Sequence, residues 1–253
     1  MRVVKIGGST FGERDTSLED ISRIVKGGER IIIVHGGGEI ITSWLKRMGV
    51  ETKFEKGLRV TDEETLKVAV AVLSGLVNKE IVSKLINFGV KAFGLSGADG
   101  LLTLTDFENR ALGFVGRVRK VNPEPILSLL DNGYTPVIAP IGTDGEGRLF
   151  NINADMLAGE LSFHIKAKSL YILTDVEGVY GRNGKVIEEL PVGDALRLID
   201  EGIAERGMIP KLKASIRACE GGCEVLIMDG REEGVLLRAF RGEKVGTRLV
   251  WTG

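Results

Sequence analysis

Two lysines in this 253-residue chain occupy positions where a positive charge can act on a bound anion. Lys5 lies in the apolar run Val3–Ile6, directly before Gly7 and Gly8. A lysine inside an apolar strand needs a partner for its charge, and an adjacent glycine turn allows the ammonium to reach a phosphate. The alternative is a lysine on an exposed edge strand. Lys211 opens a predicted helix, either as a second phosphate ligand or as a solvated side chain.

Glycine clusters end three predicted strands. They are Gly7-Gly8, Gly36-Gly37-Gly38 and Gly94-Leu95-Ser96-Gly97-Ala98-Asp99-Gly100. Ligands of parallel α/β sheets bind beyond the carboxyl ends of the strands, and glycine there lets backbone amides approach an anion. Gly36–Gly38 also leads into a helix, whose N terminus favours phosphate. The clusters therefore predict a phosphoryl cradle, although tight turns also use glycine. The spacing fits neither a P-loop nor a dinucleotide fingerprint.

A second set of polar residues lies next to predicted turns and at a predicted helix start. Asn151, Asn153 and Asp155 alternate along a segment that enters a predicted helix. Asn153 is also a candidate N-cap, and Asp155 a carboxylate that complements the helix dipole. Arg59 follows Gly57-Leu58 and can form a bidentate pair with a carboxylate, although an arginine beside a turn is often a surface residue.

Composition excludes several classes of protein. The net charge is −1 and no run of five like charges occurs, which argues against nucleic-acid binding. No apolar stretch approaches the ~18–20 residues of a membrane span. Cys219 and Cys223 form no disulfide framework, so a reducing cytoplasm is predicted. His35 and His164 build neither a Ser-His-Asp triad nor a zinc site, and both are interpreted as structural.

Elements that position these residues follow from the hydrophobic pattern. Strands are predicted at Val3–Ile6, Arg30–Val34, Val90–Leu95, Thr135–Ala139, Ser169–Leu173 and Cys223–Met228. Helices are predicted near 17–26, 38–48, 62–87, 123–132, 153–166 and 208–221. The alternation indicates an α/β fold with a largely parallel sheet. Thr61 and Glu64 form a capping box for the long helix. Residues 51–60 and 101–121 lack a helical period and predict β-hairpins, as a lid or rim.

These motifs, in this order, resemble the amino acid kinase family. The matching segments are Val4-Lys5-Ile6-Gly7-Gly8, Val34-His35-Gly36-Gly37-Gly38, Gly57-Leu58-Arg59-Val60-Thr61, Leu112-Gly113-Phe114-Val115-Gly116, Asn151-Ile152-Asn153-Ala154-Asp155, Leu173-Thr174-Asp175-Val176-Glu177-Gly178-Val179, Gly207-Met208-Ile209-Pro210-Lys211 and Gly246-Thr247-Arg248. The third and fifth segments are typical of members that act on acylated acidic amino acids. The resemblance implies a three-layer sandwich, in which helices flank a mainly parallel central sheet of about eight strands, with a β-hairpin lid.

The resemblance also implies an activity: ATP-dependent phosphorylation of the γ-carboxylate of N-acetyl-L-glutamate to the acyl phosphate, in arginine biosynthesis. Residues 1–166 would bind the acyl amino acid and form a homodimer that includes the helix 62–87, and residues 167–253 would bind ATP. The implied catalytic residues are Lys5 and Lys211 beside the phosphoryl group and Asp155, which orients them. The implied substrate-binding residues are Gly37, Gly38, Arg59 at the α-carboxylate, Asn151 near the amide, and Asn153. The implied phosphate and nucleotide residues are Gly7, Gly8, Thr174, Asp175 and Gly178.

The chemistry is consistent with these residues. A γ-carboxylate is already ionised at pH 7, so no general base is needed. Phosphoryl transfer depends on positioning and on charge stabilisation, which lysines and backbone amides supply. Mg²⁺ would travel on the phosphates of ATP, so the protein itself is not expected to hold a metal.

Two alternatives stay open. One is a kinase for α-aminoadipate or glutamate linked to a small acidic carrier protein; Arg117, Arg119 and Lys120 on the 101–121 hairpin are compatible with such a partner. The other is a non-catalytic nucleotide-sensing module, which the presence of both Lys5 and Lys211 disfavours. Family members that arginine inhibits carry an additional N-terminal helix that builds a hexamer. This chain begins at its first strand, so the resemblance implies a dimer without that feedback.

Overall fold

Eight strands form one central sheet among the residues that the computed structural model describes, which are 1–7, 16–55, 57–204 and 207–251. The strands of the molecule are β1 (Arg2–Ile6), β2 (Ile31–His35), β3 (Phe54–Glu55), β4 (Leu58–Arg59), β5 (Ala92–Ser96), β6 (Thr103–Phe107), β7 (Val115–Val121), β8 (Thr135–Ala139), β9 (Ile141–Thr143), β10 (Leu149–Ile152), β11 (Ser169–Thr174), β12 (Glu189–Pro191), β13 (Glu224–Asp229) and β14 (Thr247–Val250). The helices are α1 (Ser17–Lys26), α2 (Gly38–Arg47), α3 (Glu63–Val70), α4 (Asn78–Asn87), α5 (Glu124–Asp131), α6 (Ala154–His164), α7 (Val192–Asp200), α8 (Met208–Glu220) and α9 (Val235–Phe240).

The central sheet has the order β12-β14-β13-β11-β1-β2-β8-β5. The six strands from β13 to β5 are mutually parallel, and β14 runs antiparallel to β13. Strands β2, β8 and β11 are buried along their whole length, which their continuous apolar runs predict. Lys5 pairs in register with Val34 of β2 and Ile172 of β11. Parallel strands end at a common edge, so the segments after β1, β2 and β11 meet there.

Two apolar clusters, one on each face of the sheet, hold the helices in place. Helices α5, α6, α7 and α8 contribute to one cluster, with buried residues such as Leu161 and Leu212. Helices α1 to α4 and α9 contribute to the other, with Ile21 and Ile81. Each such side chain stabilises the fold by about 1.5–3 kcal/mol through burial. The layers confirm the three-layer α/β/α architecture. No described helix has the length and apolar character that crossing a bilayer requires.

Two smaller sheets lie outside the central one. β6 and β7 form an antiparallel hairpin that closes with β9 and β10 into a four-stranded barrel. β3 and β4 form a short antiparallel hairpin. Both pairs confirm the hairpins predicted at 51–60 and 101–121, except that residue 56 lies outside the described residues. The sequence pattern missed β9, β10, β12, α7 and α9, which are short or carry few β-branched residues.

The predicted helix 62–87 differs from expectation in two ways. Asp62 caps α3, because its side chain accepts a hydrogen bond from the Thr65 amide at 2.8 Å. The Thr61 hydroxyl instead donates to the Arg59 carbonyl at 2.8 Å, so the predicted Thr61 cap is wrong by one residue. A π-helical turn, Ala71–Val77, also joins α3 to α4. Such turns often accompany functional sites.

Candidate active site

A cavity of about 220 Å³ lies at the carboxyl edge of β1 and β2. The predicted site residues that line it are Lys5, Gly37, Gly38, Arg59, Asn151, Asn153 and Asp155. Ile41, Phe54, Leu73 and Pro140 also line it, and no motif had singled them out. A larger crevice of about 740 Å³ lies beside β14 and α9, but it contains no predicted site residue. Its lining combines six acidic side chains with three basic ones, Arg238, Lys244 and Arg248.

Asp155 joins the two predicted lysines. It lies in the first turn of α6, Lys5 lies on β1, and Lys211 lies in the first turn of α8. The Lys5 ammonium is 2.8 Å from Asp155 Oδ1, and Lys211 Nζ donates to Oδ2 at 3.1 Å. Asp155 Oδ1 has no aligned hydrogen bond among the described residues, so its contact with Lys5 is an ion pair. Three distant segments of the chain thus place two ammonium groups around one carboxylate.

Burial and charge act in opposite directions within this triad. Burial lowers the pKa of Lys5 from its usual value, the charge of Asp155 opposes this, and the charge of Lys211 adds to it. Burial raises the pKa of Asp155, but the two lysines outweigh it and hold that pKa below its usual value. Asp155 is therefore ionised at neutral pH. With both lysines protonated, the triad carries one excess positive charge at the cavity.

The turn after β2 brings backbone amides to the same cavity. The Gly36 amide donates to the Ile6 carbonyl at 2.9 Å, which ties this turn to β1. Gly37 has φ of +155°, and a Cβ there would lie 2.7 Å from Leu73 Cδ2. The amides of Gly37 and Gly38 donate no hydrogen bond to a described residue, and α2 begins at Gly38. This helix N terminus can bind an anion.

The other predicted phosphate glycines, Gly7 and Gly8, follow β1 in the sequence. Gly7 comes directly after that strand and is buried. Gly8 lies outside the described residues. The predicted role of both glycines in phosphate binding stays a prediction.

Arg59 presents one side of its guanidinium to the cavity. Nη2 donates to the Gly38 carbonyl at 2.6 Å and to Thr42 Oγ1 at 2.8 Å. Its Cζ lies 4.6 Å from the centre of the Phe54 ring. Nη1 is buried and has no hydrogen-bond partner among the described residues. Burial lowers the pKa of Arg59 to about 10, which leaves it charged at neutral pH. A buried cation with an unused donor can bind a carboxylate.

The two asparagines have different local roles. Asn153 caps α6, because its Oδ1 accepts hydrogen bonds from the amides of Asp155 at 3.0 Å and Met156 at 3.1 Å. The cap fixes the first turn that carries Asp155, and a substrate contact of Asn153 stays a prediction. Asn151, on β10, donates from Nδ2 to Thr61 Oγ1 at 3.1 Å. Its Oδ1 makes no hydrogen bond to a described residue and is available to a ligand.

Two of the predicted nucleotide residues, Thr174 and Asp175, lie at the end of β11, and none of the three lines the cavity. Thr174 ends β11 and its hydroxyl donates to Asp175 Oδ1 at 3.2 Å. Asp175 is exposed. Gly178 packs so tightly on β14 that a Cβ would lie 2.6 Å from Thr247 Oγ1. This contact accounts for a glycine at 178, and the nucleotide role of all three residues stays a prediction.

His35 is fully buried beneath the glycine turn. Nδ1 lies 2.8 Å from the Gly36 carbonyl, and Asn78 Nδ2 lies 3.2 Å from Nε2. Because a carbonyl only accepts, Nδ1 carries the proton and Nε2 accepts from Asn78. Burial lowers the pKa of His35 to about 4, so the ring is neutral at neutral pH. Its contacts position the turn, which agrees with the structural interpretation.

Comparisons with known proteins agree with the fold and the motifs. Residues 1–229 match the model of the amino acid kinase family. An acetylglutamate kinase of Dehalococcoides mccartyi is 40% identical, over 98% of this chain and 93% of its own length. One from Methanopyrus kandleri is 41% identical, over 92% of this chain and 96% of its own length. The crystal structure of smu.665 from Streptococcus mutans UA159 superposes with a TM-score of 0.86 at 30% identity, and the match covers 98% of each chain.

Proposed function

The chain belongs to the amino acid kinase family, and we propose that it transfers the γ-phosphoryl group of ATP to the γ-carboxylate of N-acetyl-L-glutamate. The observation that carries the proposal is the Lys5–Asp155–Lys211 triad: Lys5 and Asp155 line the cavity with Arg59 and Asn151, and Lys211, which does not line it, pairs with Asp155. Acetylglutamate kinases at about 40% identity over almost the whole chain support the choice of acceptor. We place the reaction in arginine biosynthesis and the enzyme in the cytoplasm.

The transfer needs no proton to be removed from the acceptor. The γ-carboxylate is ionised at neutral pH, so one of its oxygens attacks the γ-phosphorus directly. The new O–P bond forms as the bond between that phosphorus and the β,γ-bridging oxygen breaks, and ADP leaves with the electron pair. Lys5 and Lys211 stabilise the negative charge on the transferring group, and the amides of Gly37 and Gly38 bind its oxygens. Asp155 holds the two ammonium groups in position through its ion pairs with them.

The acceptor is oriented by its α-substituents. Arg59 Nη1 is the donor that the protein leaves unpaired, and we assign it to the α-carboxylate. Asn151 is assigned to the acetamido group, and Asn153 to the wall of the cavity beside the triad. Because the contact with Arg59 fixes the α-carboxylate end of the substrate, the other end, which carries the γ-carboxylate, is directed towards the triad.

We assign ATP binding to the C-terminal lobe, residues 167–253, and acyl amino acid binding to residues 1–166. Thr174, Asp175 and Gly178 line the nucleotide side in this assignment, and Gly7 and Gly8 bind its phosphates. Both carboxylate oxygens of Asp155 already contact lysines, so Asp155 offers no free oxygen ligand for a metal ion. The residues fit Mg²⁺ held by the phosphates of ATP, where it neutralises part of their charge.

A homodimer is proposed from the open edge of the central sheet. β5 forms the last strand, and on its outer side no described strand pairs with it. Phe93 of β5 and Tyr134 are 46% and 40% exposed and make an edge-to-face contact at 5.9 Å; Ile86 on α4 is 56% exposed. A second copy would continue the sheet and cover these side chains through an isologous contact. We expect a dimer by light scattering, and Phe93→Glu should give monomers. A wild-type monomer at micromolar concentration would refute the interface.

The substrate panel tests the proposed function. The purified protein and MgATP are incubated separately with N-acetyl-L-glutamate, L-glutamate and a carrier-linked glutamate, and hydroxylamine traps any acyl phosphate. N-Acetyl-L-glutamate should be the preferred acceptor. Preference for the carrier-linked substrate would instead support the alternative kinase, and no product from any acceptor would support the nucleotide-sensing module.

Matched variants connect the activity to the triad. Lys5→Ala and Lys211→Ala should each lower kcat by about 10²-fold or more, because each removes charge stabilisation of the transition state. Lys168→Ala is the control, since Lys168 is exposed and precedes β11 at the opposite edge of the sheet. Near-normal turnover in either triad variant would contradict the assigned roles.

A further inference from the structure

We propose that Thr61 is a positioning residue that fixes the orientation of the Asn151 side-chain amide, so that the site presents a hydrogen-bond acceptor to the N–H of the substrate. The inference rests on the proposed function and concerns how that same site selects an acylated amine. Thr61 itself does not line the cavity and is fully buried. It acts through Asn151, which does line the cavity.

The hydrogen-bond network around Thr61 allows one orientation of the Asn151 amide. A threonine hydroxyl has one proton to donate. Thr61 Oγ1 lies 2.8 Å from the Arg59 carbonyl, which can only accept, so that proton is used there. Thr61 Oγ1 must therefore accept in its 3.1 Å contact with Asn151, and only Nδ2 of the amide can donate. The contact would be lost if the amide were turned over, because two acceptors would then face each other.

The backbone of Thr61 prevents the hydroxyl from moving. Its amide donates to the Leu112 carbonyl at 2.9 Å, and its carbonyl accepts from the Phe114 amide at 2.6 Å. Between them, Gly113 has φ of +69°, and a Cβ there would lie 2.1 Å from the Thr61 carbonyl oxygen. The backbone amide of Asn151 in turn donates to the Phe114 carbonyl at 2.9 Å. Thr61 and Asn151 are thus both hydrogen-bonded to the segment 112–114, which directly precedes β7.

The fixed amide determines which substituent the site accepts. With Nδ2 directed to Thr61, Oδ1 is the acceptor of Asn151 that makes no hydrogen bond to a described residue. An amide N–H on the α-carbon of the substrate satisfies it. An ester oxygen at the same place has no proton and would set lone pairs against Oδ1. Sites that hydrogen-bond a substrate group discriminate strongly against analogues that lack it, because their own polar group is left unpaired.

The same hydroxyl also links the two ends of the recognition site. By donating to the Arg59 carbonyl, Thr61 joins the residue assigned to the α-carboxylate to the residue assigned to the acetamido group. Both substituents are on one carbon of the substrate. A single hydroxyl therefore sets the spacing between Arg59 and Asn151, which bind the two substituents of that carbon.

The test compares N-acetyl-L-glutamate with 2-acetoxyglutarate of the same configuration, in which an ester oxygen replaces the amide N–H. Both retain the γ-carboxylate that is phosphorylated, and trapped acyl phosphate reports kcat and KM for each. We expect the wild type to prefer the amide by about tenfold or more in kcat/KM. Thr61→Val, which removes the hydroxyl and keeps the shape, should reduce the preference to about threefold or less, mainly through KM. Thr61→Ser should retain the preference.

Further variants separate positioning from stability. Thr135→Val is the packing control, because Thr135 is a buried threonine of β8 that does not line the cavity. If Thr61→Val does not fold, Thr61→Ala removes the same hydroxyl without adding a methyl group. The inference is overturned if the wild type accepts the ester equally well, or if the hydroxyl-free variants keep its preference. A wild type that does not phosphorylate N-acetyl-L-glutamate at all would remove the proposed function, and this inference with it.

Discussion

Replacing Asp155 with asparagine removes one negative charge from the triad and leaves its shape almost unchanged. Unit charges 2.8 Å apart attract by about 6 kcal/mol, and those 3.1 Å apart by about 5 kcal/mol, at an effective dielectric constant of about 20. The side chains of Lys5 and Asp155 are only 6% and 7% exposed, so solvent screens this pair weakly. Most of the attraction offsets the cost of burying the charges, and loss of one partner of such a pair typically costs about 3–5 kcal/mol of stability.

The pH dependence of the variant provides a sharper test than a single rate. Burial and Lys211 already lower the pKa of Lys5, and Asp155 is the main group that opposes them. Without that carboxylate the pKa of Lys5 falls further below its unfolded value. Between the lowered folded value and the unfolded value, the unfolded chain binds more protons, so the stability of the variant rises with pH. The pKa of Lys5 is also lowered in the wild type, so the stability deficit should shrink as pH rises from the Lys5 pKa of the variant to that of the wild type.

The activity defect of Asp155→Asn should change with pH in the opposite direction to its stability deficit. Between the Lys5 pKa of the variant and that of the wild type, only the wild type keeps the ammonium that stabilises the transferring phosphoryl group. We expect Asp155→Asn to lower kcat by about 10²–10³-fold, the size of effect seen when one preorganised electrostatic group is removed. The defect should deepen as pH rises into that window, while the deficit in unfolding free energy becomes smaller.

The assay measures kcat by hydroxylamine trapping and unfolding free energy by urea titration, at a series of pH values. Asp131→Asn is the matched control, because Asp131 forms an exposed pair with Arg30 at 2.5 Å and does not line the cavity. It should change both quantities little. The reasoning is refuted if Asp155→Asn retains kcat within about threefold of the wild type, or if neither defect changes with pH.

Two further predictions address the groups around the triad. Arg59→Lys should raise KM for the acceptor by about tenfold or more with a smaller change in kcat, because a point charge replaces the forked donor group of arginine. Arg110→Lys is the control, since the Arg110 guanidinium also lies over an aromatic ring, 4.6 Å from the centre of Phe107, but is exposed. An unchanged KM in Arg59→Lys would exclude the proposed contact with the α-carboxylate. The folded pKa of His35, about 4, is below its unfolded value of 6.5, so its contribution to stability should be lost as pH falls from 6.5 to 4, by about 3 kcal/mol. Urea unfolding at pH 7 and 4.5 should show this dependence reduced in His35→Asn but not in His164→Asn, and an equal dependence in all three proteins would contradict it.

The sequence predicted the parts of the site that local pattern determines. Continuous apolar runs identified the buried strands, because parallel strands covered on both faces have few polar positions. Glycine clusters at strand ends also indicated the edge of the sheet at which the cavity lies. Lys5 stood out because a lysine within such a run is buried, and its 5% exposure confirms that reading. Asp155 forms ion pairs with both Lys5 and Lys211, and its predicted role in orienting them for catalysis stays a prediction.

Contacts between distant segments could not be predicted in the same way. Arg59 reaches Gly38 and Thr42 across the cavity, and nothing in either segment alone specifies that hydrogen bond. The π-helical turn, Ala71–Val77, has an ordinary helical pattern, yet it places Leu73 where only a glycine at position 37 fits. The capping box failed for a similar reason: Asp62 competes with Thr61 for the helix start, and tertiary contacts use the Thr61 hydroxyl elsewhere.

In the function that we propose, the reacting group would balance the charges of the candidate site. With both lysines protonated, Lys5, Lys211 and Asp155 leave one excess positive charge, and the Gly37 and Gly38 amides at the start of α2 add partial positive charge beside it. Desolvation makes this excess unfavourable in the empty protein, as the lowered pKa of Lys5 indicates. A transferring phosphoryl group brings negative charge to that place. In the reaction that we propose, the ion pairs of the triad hold these groups in place before the phosphoryl group arrives, so they would stabilise the transition state without reorganising.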